Sequence, residues 1–272
     1  MTGEVSRRVP CALSIGGSDS GGGAGIQADL KAFARCGVHG ATAITAITVQ
    51  NTVEVRGVYP MPPHVIVEQV AVVAEDIGVD VVKIGMLGDV ETITAVAEAL
   101  DFTGDAPVVI DPVMVAESGA RLLDEDALDA LRRTLLPRAT VVTPNVPEAA
   151  ALSGLGAETA AGELARAVRA LGPPNVVVTG GHRREAVDVF WDGHELVEIA
   201  GERYPDGAAH GSGCTHSSAL AAYLALGCEP LEAARRAKAI ASEAVRAGLG
   251  GLGAGAGPVD VFGLAAQAPV RG

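Results

Sequence analysis

Residues 11–36, CALSIGGSDSGGGAGIQADLKAFARC, decide how this chain is read. The apolar run Cys11–Gly17 predicts a strand buried on both faces. Six glycines between positions 16 and 25 then make a loop that turns without side-chain interference. Gly25–Cys36 predicts a helix, with Gly37 placed to cap its C-terminus. The same alternation continues outward. Further strands are predicted at Ala41–Val49, Val79–Gly85, Val108–Val113, Thr140–Pro144 and Asn175–Thr179. Helices are predicted at Pro63–Ile77, Val90–Leu100, Glu125–Leu135 and Gly162–Leu171, the last closed by Gly172. Such alternation builds βαβ units and a mostly parallel, right-handed sheet. After Gly180 the pattern changes. Ala186–Trp191 and Leu196–Ala200 read as an antiparallel hairpin around Asp192-Gly193, and helices at Thr215–Leu226 and Pro230–Ala247 follow. The composition shows no break and no repeat, and the glycine-rich stretch Gly248–Gly257 lies too near the end to be a linker. One domain over residues 1–272 is expected, with residues 1–9 flexible.

Composition excludes several classes. Apolar residues make up 49% of the 272, enough for a large core. Only eight residues are aromatic and the net charge is −13, so neither base-stacking platforms nor a basic footprint for nucleic acid is present. Four cysteines without CxxC spacing suggest neither a zinc site nor a disulfide framework. No h-region follows Arg7 and Arg8, and no run of 18 apolar residues occurs. The expectation is a soluble cytoplasmic protein with no membrane partner.

Three segments carry candidate chemistry. His210-Gly211-Ser212-Gly213-Cys214-Thr215-His216 precedes an alanine-rich helix. Its glycines and the helix N-terminus can form an anion hole, and a thiol there is expected to have a lowered pKa; a plain glycine turn before a core helix is the alternative. A β-branched residue at Gly213 is expected to distort this anion hole and to be worse than alanine or aspartate at Cys214. The loop Gly16–Gly25 lacks the Gly-Lys-Ser/Thr of a nucleoside-triphosphate P-loop. Followed by Asp29, it suits a small polar ligand, although Asp29 also reads as a solvated helix residue. Asn145 and Glu148 lie three apart beyond a buried strand, where they suit either a hydrated Mg²⁺ or a helix cap. Asp111-Pro112 and Thr179-Gly180-Gly181-His182 occupy equivalent strand ends, where ligands bind in such sheets.

The glycine loop through Lys31 resembles the N-terminal signature of hydroxymethylpyrimidine/phosphomethylpyrimidine kinases. The resemblance continues through Thr48-Val49-Gln50-Asn51-Thr52, Lys83-Ile84-Gly85-Met86-Leu87, Asp111-Pro112-Val113-Met114-Val115, Thr143-Pro144-Asn145 and His210–Thr215. It implies a ribokinase-like doubly wound α/β sandwich that moves a phosphoryl group from ATP, with Mg²⁺, to 4-amino-5-hydroxymethyl-2-methylpyrimidine and its monophosphate in thiamine synthesis. It also implies a homodimer. Asp29 and Gln50 would bind the aminopyrimidine edge, with Met86 and Gly17 against the ring. Asn145, Glu148, Asp111 and Thr179 would serve ATP and Mg²⁺, Glu148 through water. Gly211, Ser212, Gly213 and Cys214 would form the anion hole, with Cys214 catalytic, and Lys83 would be structural. Two places depart from the resemblance: Thr179 and Glu117 stand where the family usually has lysine, and Arg121, Arg183 and Arg184 are the cations at hand to compensate. Ala208-Ala209 likewise replaces a more polar pair. A pyridoxal or pyridoxine kinase of the same architecture, or a non-catalytic pyrimidine-binding descendant, are the competing readings.

Overall fold

The computed structural model describes residues 8–180, 186–204 and 207–267. Nine strands form one sheet in the order β3-β2-β1-β4-β5-β6-β7-β8-β9. They are β1 (Cys11–Asp19), β2 (His39–Gln50), β3 (Val55–Pro60), β4 (Val81–Ile84), β5 (Val108–Ile110), β6 (Val141–Val142), β7 (Asn175–Val178), β8 (Asp188–Trp191) and β9 (Leu196–Ile199). The run β2-β1-β4-β5-β6-β7 is parallel. The late hairpin β8–β9 is antiparallel to β7, as expected.

Side-chain alternation divides the core in two. Leu13, Ile15, Val82, Ile84 and Ile110 pack on one face with Ile66 and Val70 of α2 (Pro63–Asp76), Ile93 and Val96 of α3 (Val90–Ala99), and Leu164 and Val168 of α6 (Ala161–Arg169). Ala12, Val81, Val109 and Val177 face the other way, against Phe33 of α1 (Gly25–Arg35) and the alanines of α7 (Ser212–Ala225) and α8 (Pro230–Arg246). A period of two in each strand makes both layers from one continuous apolar run. α1 joins β1 to β2 on one face and α2 leads back to β4 on the other. The chain therefore reverses direction between β1 and β4, the place where open α/β sheets bind ligands.

Three expectations change. β3 has no counterpart among the predicted strands. Gly57 and Pro60 disguise it, and both are tolerated because it is an edge strand pairing antiparallel with β2 alone. The helix expected over Glu125–Leu135 is instead a short α4 (Ala127–Ala130) that widens into a π turn over Leu131–Leu135 and ends in a tight turn at Leu136–Arg138, where Pro137 cannot continue an α-helix. α5 (Val146–Ser153) is a distinct helix after β6. No helix among the described residues is long and apolar enough to cross a membrane. Gly181, His182, Arg183 and Arg184, and residues 1–7, lie outside the described residues.

Candidate active site

The glycine loop after β1 is folded around a residue that sequence reading did not single out. The buried Asp19 carboxylate accepts the N–H groups of Gly21 (2.8 Å), Gly23 (3.0 Å) and Ala24 (2.8 Å), and His210 Nε2 lies 3.3 Å from it. Burial alone would raise its pKa, but the His210 contact and these N–H groups hold it below the usual carboxylate range. The readable signal was an aspartate two residues before a glycine run, the pattern of a side chain closing its own turn. This loop interlocks with the one before α7. Gly211 has φ +83°, and a Cβ there would collide with the Gly23 carbonyl oxygen.

α7 begins at Ser212, three residues earlier than expected, so Ser212, Gly213 and Cys214 form its first turn. Ser212 spends its N–H on the Ala209 carbonyl (2.9 Å). The N–H groups of Gly211, Gly213 and Cys214 have no acceptor among the described residues. The expected four-residue anion hole thus has three free donors, reinforced by the positive end of the helix. A Gly213 Cβ would meet nothing within 4 Å among the described residues beyond its chain neighbours and its own helix backbone.

The expectation of an acidified Cys214 thiol is overturned: its pKa is pushed up to about 12. Burial is the main cause, and the Asp29 and Asp111 carboxylates add to it. The Lys83 ammonium and the Gly25 N–H act in the opposite direction without prevailing. A helix N-terminus stabilises a thiolate only where desolvation does not outweigh it.

Asp29 also departs from its expected place. It is 0% exposed, and both its oxygens are taken by protein donors. Lys83 Nζ donates to Oδ1 (2.9 Å) and Oδ2 (3.1 Å), Ser218 Oγ to Oδ1 (2.7 Å) and Ser14 Oγ to Oδ2 (2.6 Å). It therefore does not present its carboxylate to a pyrimidine. Lys83, equally buried, is held charged: burial opposes the ammonium, but Asp29 overcomes it and raises the pKa. Asp29→Ala is accordingly expected to destabilise the fold by about 3–5 kcal/mol, because it strands the buried ammonium. Denaturant unfolding checks this. A stable variant with a raised pyrimidine KM would return Asp29 to the substrate.

On the β1–β4 side Gly17 and Met86 meet, and Gln50 lies across β1 at the end of β2. A Cβ on Gly17 would lie 3.0 Å from Met86 Sδ, so the bare backbone at 17 and the buried thioether share one wall. Gln50 ends β2 beside the glycine loop, where Ser20 Oγ donates to its carbonyl (2.6 Å). Its Oε1 lies 3.1 Å from the Thr48 hydroxyl, and its Nε2 is unpartnered among the described residues.

At the ends of β5, β6 and β7, Asp111, Asn145, Glu148 and Thr179 assemble. Asn145 bridges to Thr179, whose N–H donates to the Pro144 carbonyl (2.9 Å). Asn145 and Glu148 form a reciprocal cap on α5. Asn145 Oδ1 accepts the Glu148 N–H and Glu148 Oε2 accepts the Asn145 N–H, both at 2.9 Å. Burial, and secondarily the Asp111 carboxylate, raises the Glu148 pKa to about 8. Asp111, which accepts from Ser217 Oγ (3.0 Å), is also raised by burial, with Lys83 and Ser217 opposing.

The raised Glu148 pKa fixes a sign. Its stabilising contribution is fully present below the unfolded value of 4.5 and is lost as pH rises through about 8. Glu148→Gln, which cannot ionise, should therefore gain about 2–4 kcal/mol relative to the native protein between pH 5 and pH 9. Unfolding free energies at the two pH values check it; an unchanged difference would remove the buried charge as the cause.

Of the two departures, Glu117 is exposed, and Arg121 is engaged with Glu125 (2.8 Å) rather than compensating for it.

Residues 19–260 match the sequence model of a family described as phosphomethylpyrimidine kinase. The chain is 48% identical over 257 residues to a hydroxymethylpyrimidine/phosphomethylpyrimidine kinase of Rhizobium meliloti, covering 92% of this chain and 96% of that one. It is 44% identical over 263 residues to a thiamine biosynthesis bifunctional protein, ThiED, of Geobacter sulfurreducens; this covers 94% of the chain but only 54% of that longer relative. The ADP complex of Bacillus subtilis pyridoxal kinase superposes with a TM-score of 0.86 at 39% identity, covering 95% of this chain and 99% of that one.

Proposed function

Because the chain belongs to the phosphomethylpyrimidine kinase family, whose members are phosphotransferases, we propose that it phosphorylates 4-amino-5-hydroxymethyl-2-methylpyrimidine and then its monophosphate, using ATP. One observation carries this reading. The start of α7 offers three free N–H groups, those of Gly211, Gly213 and Cys214, and its loop is locked against the glycine loop that Gln50 borders. A phosphoryl group in transfer is stabilised by donors fixed in advance around its oxygens. Gln50 Nε2 and Oε1 match the ring nitrogen and exocyclic amine of an aminopyrimidine. Cys214, once ionised, takes the proton of the hydroxymethyl group in this reading.

Asp111 and Glu148 suit Mg²⁺. Burial raises the pKa of both, and the Asp111 carboxylate raises that of Glu148 further, so the pair is short of positive charge. Among the described residues no cluster of three or more metal-type side chains forms a closed cage. The two carboxylates suit an ion which takes one or two of them and keeps waters and phosphates for the rest. Glu148 would act through water and Thr179 would line the nucleotide side. When bound, Mg²⁺ would neutralise charge on the ATP phosphates. A cytoplasmic location is supported by four free thiols. A homodimer is supported by Ile47, Val49 and Tyr59, which stand exposed on one face of the β2–β3 pair.

ATP consumption with the pyrimidine alcohol, its monophosphate and pyridoxal tests the reading. Turnover is expected on both pyrimidines. Gln50→Ala should raise their KM about 5–30-fold, the cost of a buried polar group losing its partner, and leave the KM for ATP unchanged. The likeness to pyridoxal kinase favours a second reading, in which pyridoxal is also accepted. Turnover of pyridoxal alone would replace the first reading with the second.

A further inference from the structure

Behind the first turn of α7 lies a buried cluster with no assigned role. Lys83 of β4 and Asp29 of α1, each 1% exposed at the side chain, form an ion pair at 2.9 Å. Asp29 accepts two hydroxyls of equal burial, Ser14 of β1 (2.6 Å) and Ser218 of α7 (2.7 Å). Ser218 lies four residues after Cys214 and so sits one turn behind it on the same helix face. Ser217, next to it, lies 3.0 Å from Asp111 and 3.0 Å from the Gly213 carbonyl. The carboxylate–hydroxyl bond at Ser218 is therefore a direct tie between the immobile ion pair and the helix that carries Cys214 and the free N–H groups. The Ser14 tie has the same chemistry but ends on a strand already held by β2 and β4.

We propose that Ser218 is a positioning residue for phosphoryl transfer, anchoring the first turn of α7 to the Lys83–Asp29 pair so that Cys214 and its neighbouring N–H groups meet the reacting atoms in register. Hydrogen bonds to a charged partner are short and directional, and a rigid ion pair between two core elements gives them a fixed reference. Small misplacement of reacting groups costs rate and leaves ground-state binding largely intact. The inference rests on the reading of that turn as the reacting turn.

Paired variants test it. Ser218→Ala and Ser14→Ala each remove one hydroxyl at a fully buried site, leave the ion pair intact and create little void, so both should fold with a similar loss in Tm. Ser218→Ala is expected to lower kcat about 10-fold or more, with KM for ATP and pyrimidine within about twofold of native. Ser14→Ala should keep kcat within about twofold. Equal effects of the two variants on kcat would overturn the proposal, as would a change confined to the pyrimidine KM. Cys214→Ala and Gly211→Ala run alongside separate the two readings. If both retain activity, the assignment of the reacting turn has failed; if either is inactive while the serine variants behave alike, only the role of Ser218 has.

Discussion

Cys214→Ala is expected to lower kcat by about 10²–10⁴-fold, the range for loss of a positioned base, with little change in KM for ATP. The substitution removes the proton acceptor but keeps every backbone donor of the first turn of α7. Its signature lies in the pH dependence. With the thiol pushed up to about 12 by burial and the nearby Asp29 and Asp111 carboxylates, the thiolate fraction of the free enzyme grows about tenfold per pH unit across the neutral range. The native kcat/KM should therefore rise with pH from 6 to 9, and the alanine variant should lose that rise. Cys214→Asp should recover part of the rate with a flatter profile, because a carboxylate is an ionised acceptor at lower pH. A variant retaining most of its activity with an unaltered profile would make the thiol a bystander and leave catalysis to the N–H groups.

The second large effect belongs to Gly211. Alanine there must adopt φ +83° and place its Cβ against the Gly23 carbonyl. The left-handed conformation alone costs about 1–2 kcal/mol. Relief of the collision must separate the glycine loop from the loop that starts α7. Loss of one aligned donor in such a site commonly costs about 10²–10³-fold in kcat, and Gly211→Ala is expected to reach that range together with a lowered Tm. Gly213→Ala should differ: its Cβ meets no described neighbour outside its own helix turn, so Tm should hold and any loss should appear through the nucleotide. Steady-state kinetics with thermal melts on both variants check the contrast. A native-like Gly211→Ala would mean that the two loops are not interlocked.

Much of the site was legible because its elements lie at strand ends. Gly17 lies near the C-terminal end of β1 while Met86, Asp111, Asn145 and Thr179 follow buried strands, and a parallel sheet delivers all such positions to one edge. The reciprocal Asn145–Glu148 cap was readable from spacing three. Asp19 and His210 were not singled out. Their meaning lies in one contact across 191 positions of chain, which no local pattern encodes.

Local chemistry, as written in the order of residues, determined the alternating strands and helices, the mostly parallel sheet, the late hairpin and the glycine-flanked start of α7, because each follows from periodicity or from the freedom of glycine within a few residues. What only the tertiary structure decided is the electrostatic character of the site. Asp29 reads as a solvated or ligand-binding carboxylate until Lys83, Ser14 and Ser218 arrive from three other elements and use all its acceptors. Cys214 reads as an acidified thiol until packing half-buries it and sets Asp29 and Asp111 near it. Both reversals have one cause: the energy of a charge depends on the solvent and charges around it, and these are set by residues far away in the chain.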